Sequence, residues 1–286
     1  MALPLSGPLS LSNIQTEFGG SNPINLSEYY RGGAYVTTNN TNVPTSGTIR
    51  ISNFYGAVKQ FAFTLTGTLN QANLRSLAVA YGWNGTDAVL CTNNASISSS
   101  TTGAAALTIN GSFPNGVILV NNNYITGMGG NGGSYGQSGG AGGTAVAIGT
   151  AVTITNNSAF AGGGGGGACS PVFGWGGVDL TYGGGAGASG LYQASGGDGS
   201  EWRDGSASGY DPGTGLYLNA GAGGYACWSG VCNDPSGNGG SWGSPGGGSS
   251  STHGSSGYSG GAAGYSVTGN GYVTWLATGA LYGPIG

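Results

Sequence analysis

The sequence predicts a mostly β and irregular chain in three parts. These are a small N-terminal docking module over 1–60, a β domain over 61–126, and a C-terminal sandwich of packed glycine helices with connecting loops over 127–286. Three observations carry this expectation. Glycine makes up 66 of 286 residues, and 53 of those lie beyond residue 126, whereas glycine is usually about 7% of a protein. The first 126 residues instead hold short apolar alternations, the period of half-buried strands. Two internal repeats also mark the chain, at offsets of 40 and 35 residues.

Composition excludes several classes. Charged residues are only 5% of the chain, against about 25% in ordinary globular proteins. Aromatic residues reach 10% and the net charge is −4, which argues against common disorder. Five Lys and Arg in total are too few to neutralise a phosphate backbone, so no nucleic-acid partner is expected. Ten prolines are too few for collagen. No apolar run is long enough to span a membrane, so no membrane insertion is expected. The start, Met1-Ala2-Leu3-Pro4-Leu5, lacks the basic and apolar regions of a secretion signal. A protein acting outside the cell without such a signal needs another exit, and lysis is one.

In the first part, Pro4-Leu5-Ser6-Gly7 and Pro44-Thr45-Ser46-Gly47 open two copies that continue to Ser12-Asn13 and Ser52-Asn53. The alternation within each copy predicts a short strand. Ser12 with Gln15 predicts a capped helix over 14–18, and Asn25 or Ser27 a second turn over 28–31. In the second part, Phe61, Phe63 and Leu65, then Leu107 and Ile109, then Val117 and Leu119 recur at every second position. They predict strands with turns at Asn84-Gly85 and Asn110-Gly111, and a helix is expected over 70–81. At the boundary, Val117 through Gly127 aligns with Val152 through Gly162. Each copy is a strand, an Asn-Asn corner, an apolar pair and then glycine. A repeated strand and corner predict stacked solenoid rungs.

Beyond residue 126 glycine recurs every third position, as at 127, 130, 133, 136, 139 and 142. Three residues per turn is the period of an extended polyproline II-type helix. Unlike proline, glycine keeps its N–H, so such helices can bond one another sideways. Glycine is costly to order, so several helices must bond together to offset that. Aromatic segments interrupt the runs at 169–182, 192–217, 225–242 and 249–258, and 271–277 predicts a terminal strand with Trp275 in the core.

The motifs resemble those of the polyglycine-sandwich adhesins at the tips of tailed-phage fibres. The resemblance rests on the Asn-Asn strands, the glycine triplets with aromatic loops, and the closing Gly264-Tyr265-Ser266-Val267-Thr268-Gly269-Asn270-Gly271-Tyr272-Val273-Thr274-Trp275. The opening repeat, ending Asn53-Phe54-Tyr55-Gly56, is similar to N-terminal modules of phage tail proteins. The resemblance implies a virion protein of the tail, made in the host cytoplasm, at a distal fibre or tip. It implies that residues 1–60 bind another tail or fibre protein. It further implies that the loops bind a host cell-surface receptor, either outer-membrane protein or glycan. A homotrimer and a single capping chain both fit.

Aromatic side chains with polar handles dominate interface hot spots. The candidate receptor contacts are therefore Phe173, Trp175, Tyr182, Tyr192, Trp202, Tyr210, Tyr217, Trp228, Trp242 and Tyr258. Cys227 and Cys232 are a candidate disulfide that would rigidify such a loop. No catalytic residue, metal site or cofactor is assigned. His253 is the sole histidine and reads as an exposed loop residue. Asp198, Glu201, Asp204 and Asp211 lack the spacing of a complete EF-hand loop and read as solvated charge partly paired by Arg203. No Gly-Lys-Ser/Thr follows a glycine run, so no nucleotide site is expected. Two rival readings remain, a purely structural tail or capsid component and a glycan-degrading enzyme.

Overall fold

The computed structural model describes residues 3–38, 40–134, 137–169, 173–175, 178–180, 225–228, 231–249 and 257–286. In 173–175, 178–180, 225–228 and 231–235 only the backbone is described.

The N-terminal module gathers Leu3, Ile14, Phe18, Tyr29, Val36, Val43, Phe54 and Ala57 into a core of its own. Its helix α1 spans Leu11–Phe18. The Ser10 hydroxyl accepts the Asn13 N–H at 3.2 Å, and Asn13 Oδ1 accepts the Ser10 N–H at 2.9 Å. This reciprocal cap lies two residues before the expected Ser12 and Gln15, so the helix begins at Leu11. The second turn is a 3-10 turn at Leu26–Tyr29, capped by Asn25 with Glu28. The alternating repeats do not become strands. Each Pro-x-Ser-Gly copy is held by a tyrosine and its successor instead. Tyr55 donates its hydroxyl to the Gly7 carbonyl at 2.6 Å, and Gly56 its N–H to Pro4 at 3.0 Å. In the same way Tyr30 donates to Gly47, and the Arg31 N–H to Pro44 at 3.0 Å. Carbonyls taken by side chains and turns are lost to a strand ladder.

From residue 60 the chain winds into a parallel solenoid with three sheets. The first coil holds β1 (Gln60–Leu65), β2 (Thr68–Asn70) and β3 (Ala72–Asn73), followed by helix α2 (Leu74–Ala80). The second holds β4 (Ala88–Asn93), β5 (Ser96–Ser98) and β6 (Leu107–Ile109), and the third β7 (Val117–Asn121), β8 (Ile125–Thr126) and β9 (Val146–Ile148). The fourth begins with β10 (Val152–Asn156) and β11 (Ala159–Ala161). Two antiparallel hairpins follow, β12 (Phe173–Trp175) with β13 (Val178–Leu180) and β14 (Tyr225–Trp228) with β15 (Val231–Pro235). The coil then closes with β16 (Val267–Thr268), and β17 (Val273–Ala277) and β18 (Ala280–Tyr282) start the last coil.

The sheets run β1-β4-β7-β10-β17, β18-β11-β8-β5-β2 and β16-β9-β6-β3. This corrects the expected boundary at 126/127. Strands on either side of it pair with one another, so the solenoid extends to the last residues, and the glycine segments interrupt it rather than follow it.

Register stacks like on like. Phe63, Cys91, Leu119, Ile154 and Trp275 align on the first sheet, and Leu69, Ile97, Ile125, Phe160 and Leu281 on the second. Cys91, Leu119, Ile154, Ile97, Ile125 and Phe160 are fully buried. Trp275 is half-buried, packs on Phe160 at 6.2 Å and donates its indole N–H to Asn270 Oδ1 at 2.8 Å. The Asn-Asn corners make a second stack. Asn93 donates to Asn121 at 2.7 Å, Asn121 to Asn156 at 2.8 Å, and Asn156 to the Thr278 carbonyl at 2.7 Å, all three asparagines being buried. Their successors Asn94, Asn122 and Asn157 repeat the ladder on the exposed side at 2.9 and 2.8 Å. A buried amide is tolerated when each partner is satisfied, and the one-coil spacing supplies those partners.

Helix α2 spans less than the expected 70–81. Asn73 caps it by accepting the Ser76 N–H at 3.0 Å. Leu74 and Ala78 join the solenoid core, while Leu77 packs against it half-buried.

Candidate functional site

Both long interruptions leave the solenoid from its second sheet and re-enter at its third. One runs from the end of β8 to the start of β9, the other from β11 to β16. The described parts of these interruptions are extended glycine-rich segments, 127–134, 137–143, 162–169, 236–242, 243–248 and 257–265.

The 162–169 segment lies among the others. The N–H groups of Gly163 and Gly166 donate to Gly143 and Gly140, and those of Gly165 and Ala168 to Ser244 and Gly247. The carbonyls of Ala161, Gly164 and Gly167 accept from Gly127, Gly130 and Gly133. Those of Gly162, Gly165 and Ala168 accept from Gly243, Gly240 and Gly237, and those of Gly163 and Gly166 from Gly264 and Gly261. Each neighbour is met at every third residue, and residues 161–169 are buried throughout. A Cβ at Gly164 would stand 1.9 Å from the Gly240 carbonyl oxygen, and one at Gly167 1.8 Å from that of Gly237. No side chain fits there. That is why glycine runs unbroken from 162 to 167, while the outer segments admit Ser, Asn, Tyr and Ala on their free sides.

The bonding order sets the direction of each segment. Residues 127, 143, 162, 243 and 264 gather at one end, tied to the solenoid by the Gly162 N–H on Tyr282 and the Ala145 N–H on Tyr265. Residues 133, 137, 168, 169, 237, 247 and 258 gather at the other, through Gly133 to Gly167, Cys169 to Gln137, Gly237 to Ala168, Gly247 to Asn238 and Ser249 to Tyr258. The chain therefore departs for 135–136, 170–235 and 250–256 from one shared end, opposite the solenoid. The 170–235 stretch carries Asp179, Asp198, Glu201, Asp204, Asp211 and Asp234 against a single Arg203.

The expected contact residues distribute as follows. Phe173 and Trp175 lie on β12 and Trp228 on β14, with backbone alone described. Tyr182, Tyr192, Trp202, Tyr210 and Tyr217 lie outside the described residues, as do His253 and the acidic group Asp198, Glu201, Asp204 and Asp211. Tyr258 is half-buried at the shared outer end, where its N–H donates to the Ser249 hydroxyl at 2.9 Å.

Trp242 is a correction. It is 9% exposed and packs on Ala161, between Tyr124 at 5.8 Å and Tyr282 at 6.0 Å. It sits at the solenoid end of the lattice, sealing the second sheet, because its segment turns back there through Ser241 and Ser244. Cys227 and Cys232 are register partners across the β14–β15 hairpin. Among the described residues no group of three or more His, Cys, Asp or Glu side chains could hold a metal ion. None of the described helices is long and apolar enough to cross a membrane. Sequence reasoning missed Tyr124 and Tyr282, which are about half exposed beside Trp242. The alignment of Tyr124 with Ala159 was the available signal.

The fold has a known counterpart. It is similar to a chain of the gp37–gp38 adhesin tip complex from the bacteriophage S16 long tail fibre, at 26% identity, with 98% of each chain covered and a TM-score of 0.58. A search of curated proteins finds no match. The family model of the phage tail fibre adhesin Gp38 matches residues 60–286, the entire solenoid with its glycine interruptions. The chain belongs to the Gp38 family of phage tail fibre adhesins.

Proposed function

We propose that this adhesin stands at the tip of a tail fibre and binds a host cell-surface receptor through segments displayed at the outer end of a polyglycine II lattice. The observation that supports this best is the shared departure of 135–136, 170–235 and 250–256 from the end of the lattice opposite the solenoid. Lateral amide bonds at every third residue fix the stems of those segments. A pre-ordered stem reduces the entropy lost on contact, which favours affinity without any bond making.

Phe173, Trp175, Tyr182, Tyr192, Trp202, Tyr210, Tyr217, Trp228 and Tyr258 remain the proposed contacts. Trp242 is removed from the set by its burial. Residues 1–60 are the proposed attachment to another fibre protein. The S16 counterpart supports this, since it comes from a complex of gp37 with gp38.

The test is competition. Purified full-length protein should slow adsorption of the parent phage to its host, and a variant carrying Trp175→Ala, Trp202→Ala and Trp228→Ala should not. No competition by the folded wild type would assign the chain a structural role instead, and equal competition by both proteins, each folded, would remove the three tryptophans from the contact set.

A further inference from the structure

Two of the four cysteines are committed to packing. Cys91 is fully buried in the inward stack of the first sheet, and burial pushes its thiol up to about 12. Cys169 is buried at the end of the central glycine segment, where its sulfur accepts the Gln137 N–H at 3.1 Å. The other two fall together by register. In the antiparallel pair β14–β15, Trp228 opposes Val231 and Cys227 opposes Cys232. Only Ser229 and Gly230 separate the two strands in sequence.

A hairpin joined by two residues has a hydrogen-bonded pair next to its turn, here 228 with 231. The ladder alternates, so the next pair, 227 with 232, is non-hydrogen-bonded. Residues in such pairs stand about 4.5 Å apart at Cα, inside the span of roughly 4.4–6.8 Å that a disulfide needs. One residue further, between Ala226 and Cys227, the register shifts. Beyond the shift the ladder resumes, with Ala226 opposite Asp234 and Tyr225 opposite Pro235.

We infer that Cys227 and Cys232, juxtaposed in the β14–β15 ladder, form a cross-strand disulfide once the chain leaves a reducing compartment. Two S–H bonds break and one S–S bond forms. The two electrons and two protons pass to molecular oxygen, which leaves as hydrogen peroxide. The inference stands on register and is separate from the receptor assignment.

The full-length chain, held in aerated buffer and then unfolded in guanidinium, is treated with iodoacetamide. Two cysteines, Cys91 and Cys169, should be alkylated without reductant, and four after a phosphine reductant. Chymotrypsin cuts after Trp228, so the oxidised sample should yield two fragments joined through Cys227 and Cys232. With Cys232→Ser, three cysteines should be alkylated without reductant. Four alkylated cysteines in the aerated wild type, or a link from Cys227 to any other cysteine, overturns the inference.

Discussion

Asn121 donates one amide bond and accepts another in the interior of the solenoid, at 2.8 and 2.7 Å. Asn121→Ala strands the Asn93 donor and leaves Asn156 Oδ1 only the Ser158 N–H at 3.3 Å. A buried orphan costs about 1–3 kcal/mol, so a loss of about 2 kcal/mol is expected, read as a lower urea midpoint. Cys91 provides a pH signature. Its thiol titrates near 9.0 when unfolded and near 12 when folded. Between those values the folded state holds more protons, so the contribution of Cys91 to stability falls as pH rises through 9.0 toward 12. Wild type should lose more stability from pH 8 to pH 10 than Cys91→Ala does, measured by urea unfolding in reductant. The asparagine pairs also show what sequence reasoning reached. The copies at 121–122 and 156–157 are legible as a repeat, and they stack as neighbouring rungs. Asn93-Asn94 is a third copy, 28 residues before Asn121 by pairing. A step of 28 beside a step of 35 hides it from a fixed-period reading.

At the scale of the element, the 162–167 run tolerates no side chain. Gly164→Ala places a methyl group 1.9 Å from a carbonyl oxygen held by its own neighbours. Backbone on several sides has nowhere to move, so a loss at or beyond about 4 kcal/mol is expected. Gly103→Ala meets nothing within 4 Å and should change stability by less than about 0.5 kcal/mol. Thermal unfolding of the two variants side by side checks the contrast. The three-residue glycine spacing was visible in the sequence. That 162–167 lies at the centre was not, because its neighbours come from segments up to a hundred residues away. Trp242 shows the same limit. Flanked by Ser241 and Gly243, it read as a loop aromatic, yet lateral bonding returns its segment to the solenoid. Trp242→Ala should cost about 3–5 kcal/mol as a lost buried aromatic. Adsorption by that variant should fall only as far as its folded fraction falls.

At the scale of the whole molecule, negative charge is concentrated in one stretch of the sequence. Six of the nine acidic residues lie in 170–235 with one arginine, so that stretch is strongly acidic. A receptor of complementary sign is steered toward it at low ionic strength, and salt screens that attraction. Adsorption should therefore slow as sodium chloride rises from about 50 to 500 mM, a range over which the screening length falls severalfold. Faster adsorption at high salt would point to an anionic glycan instead. The overall β character was legible from composition and period. The boundary at 126/127 was misplaced because composition changes in the middle of a coil: glycine enters after β8, and the solenoid resumes at β9.

The lattice also has a mechanical consequence. Its segments run side by side, each bonded to its neighbours at every third residue along its length. A load applied between the outer end and the solenoid end acts along the segments and across those bonds. Many of them must then yield together under shear, whereas bonds peeled from one edge would fail in succession. A virion tethered through this protein in flowing medium would pull in that direction.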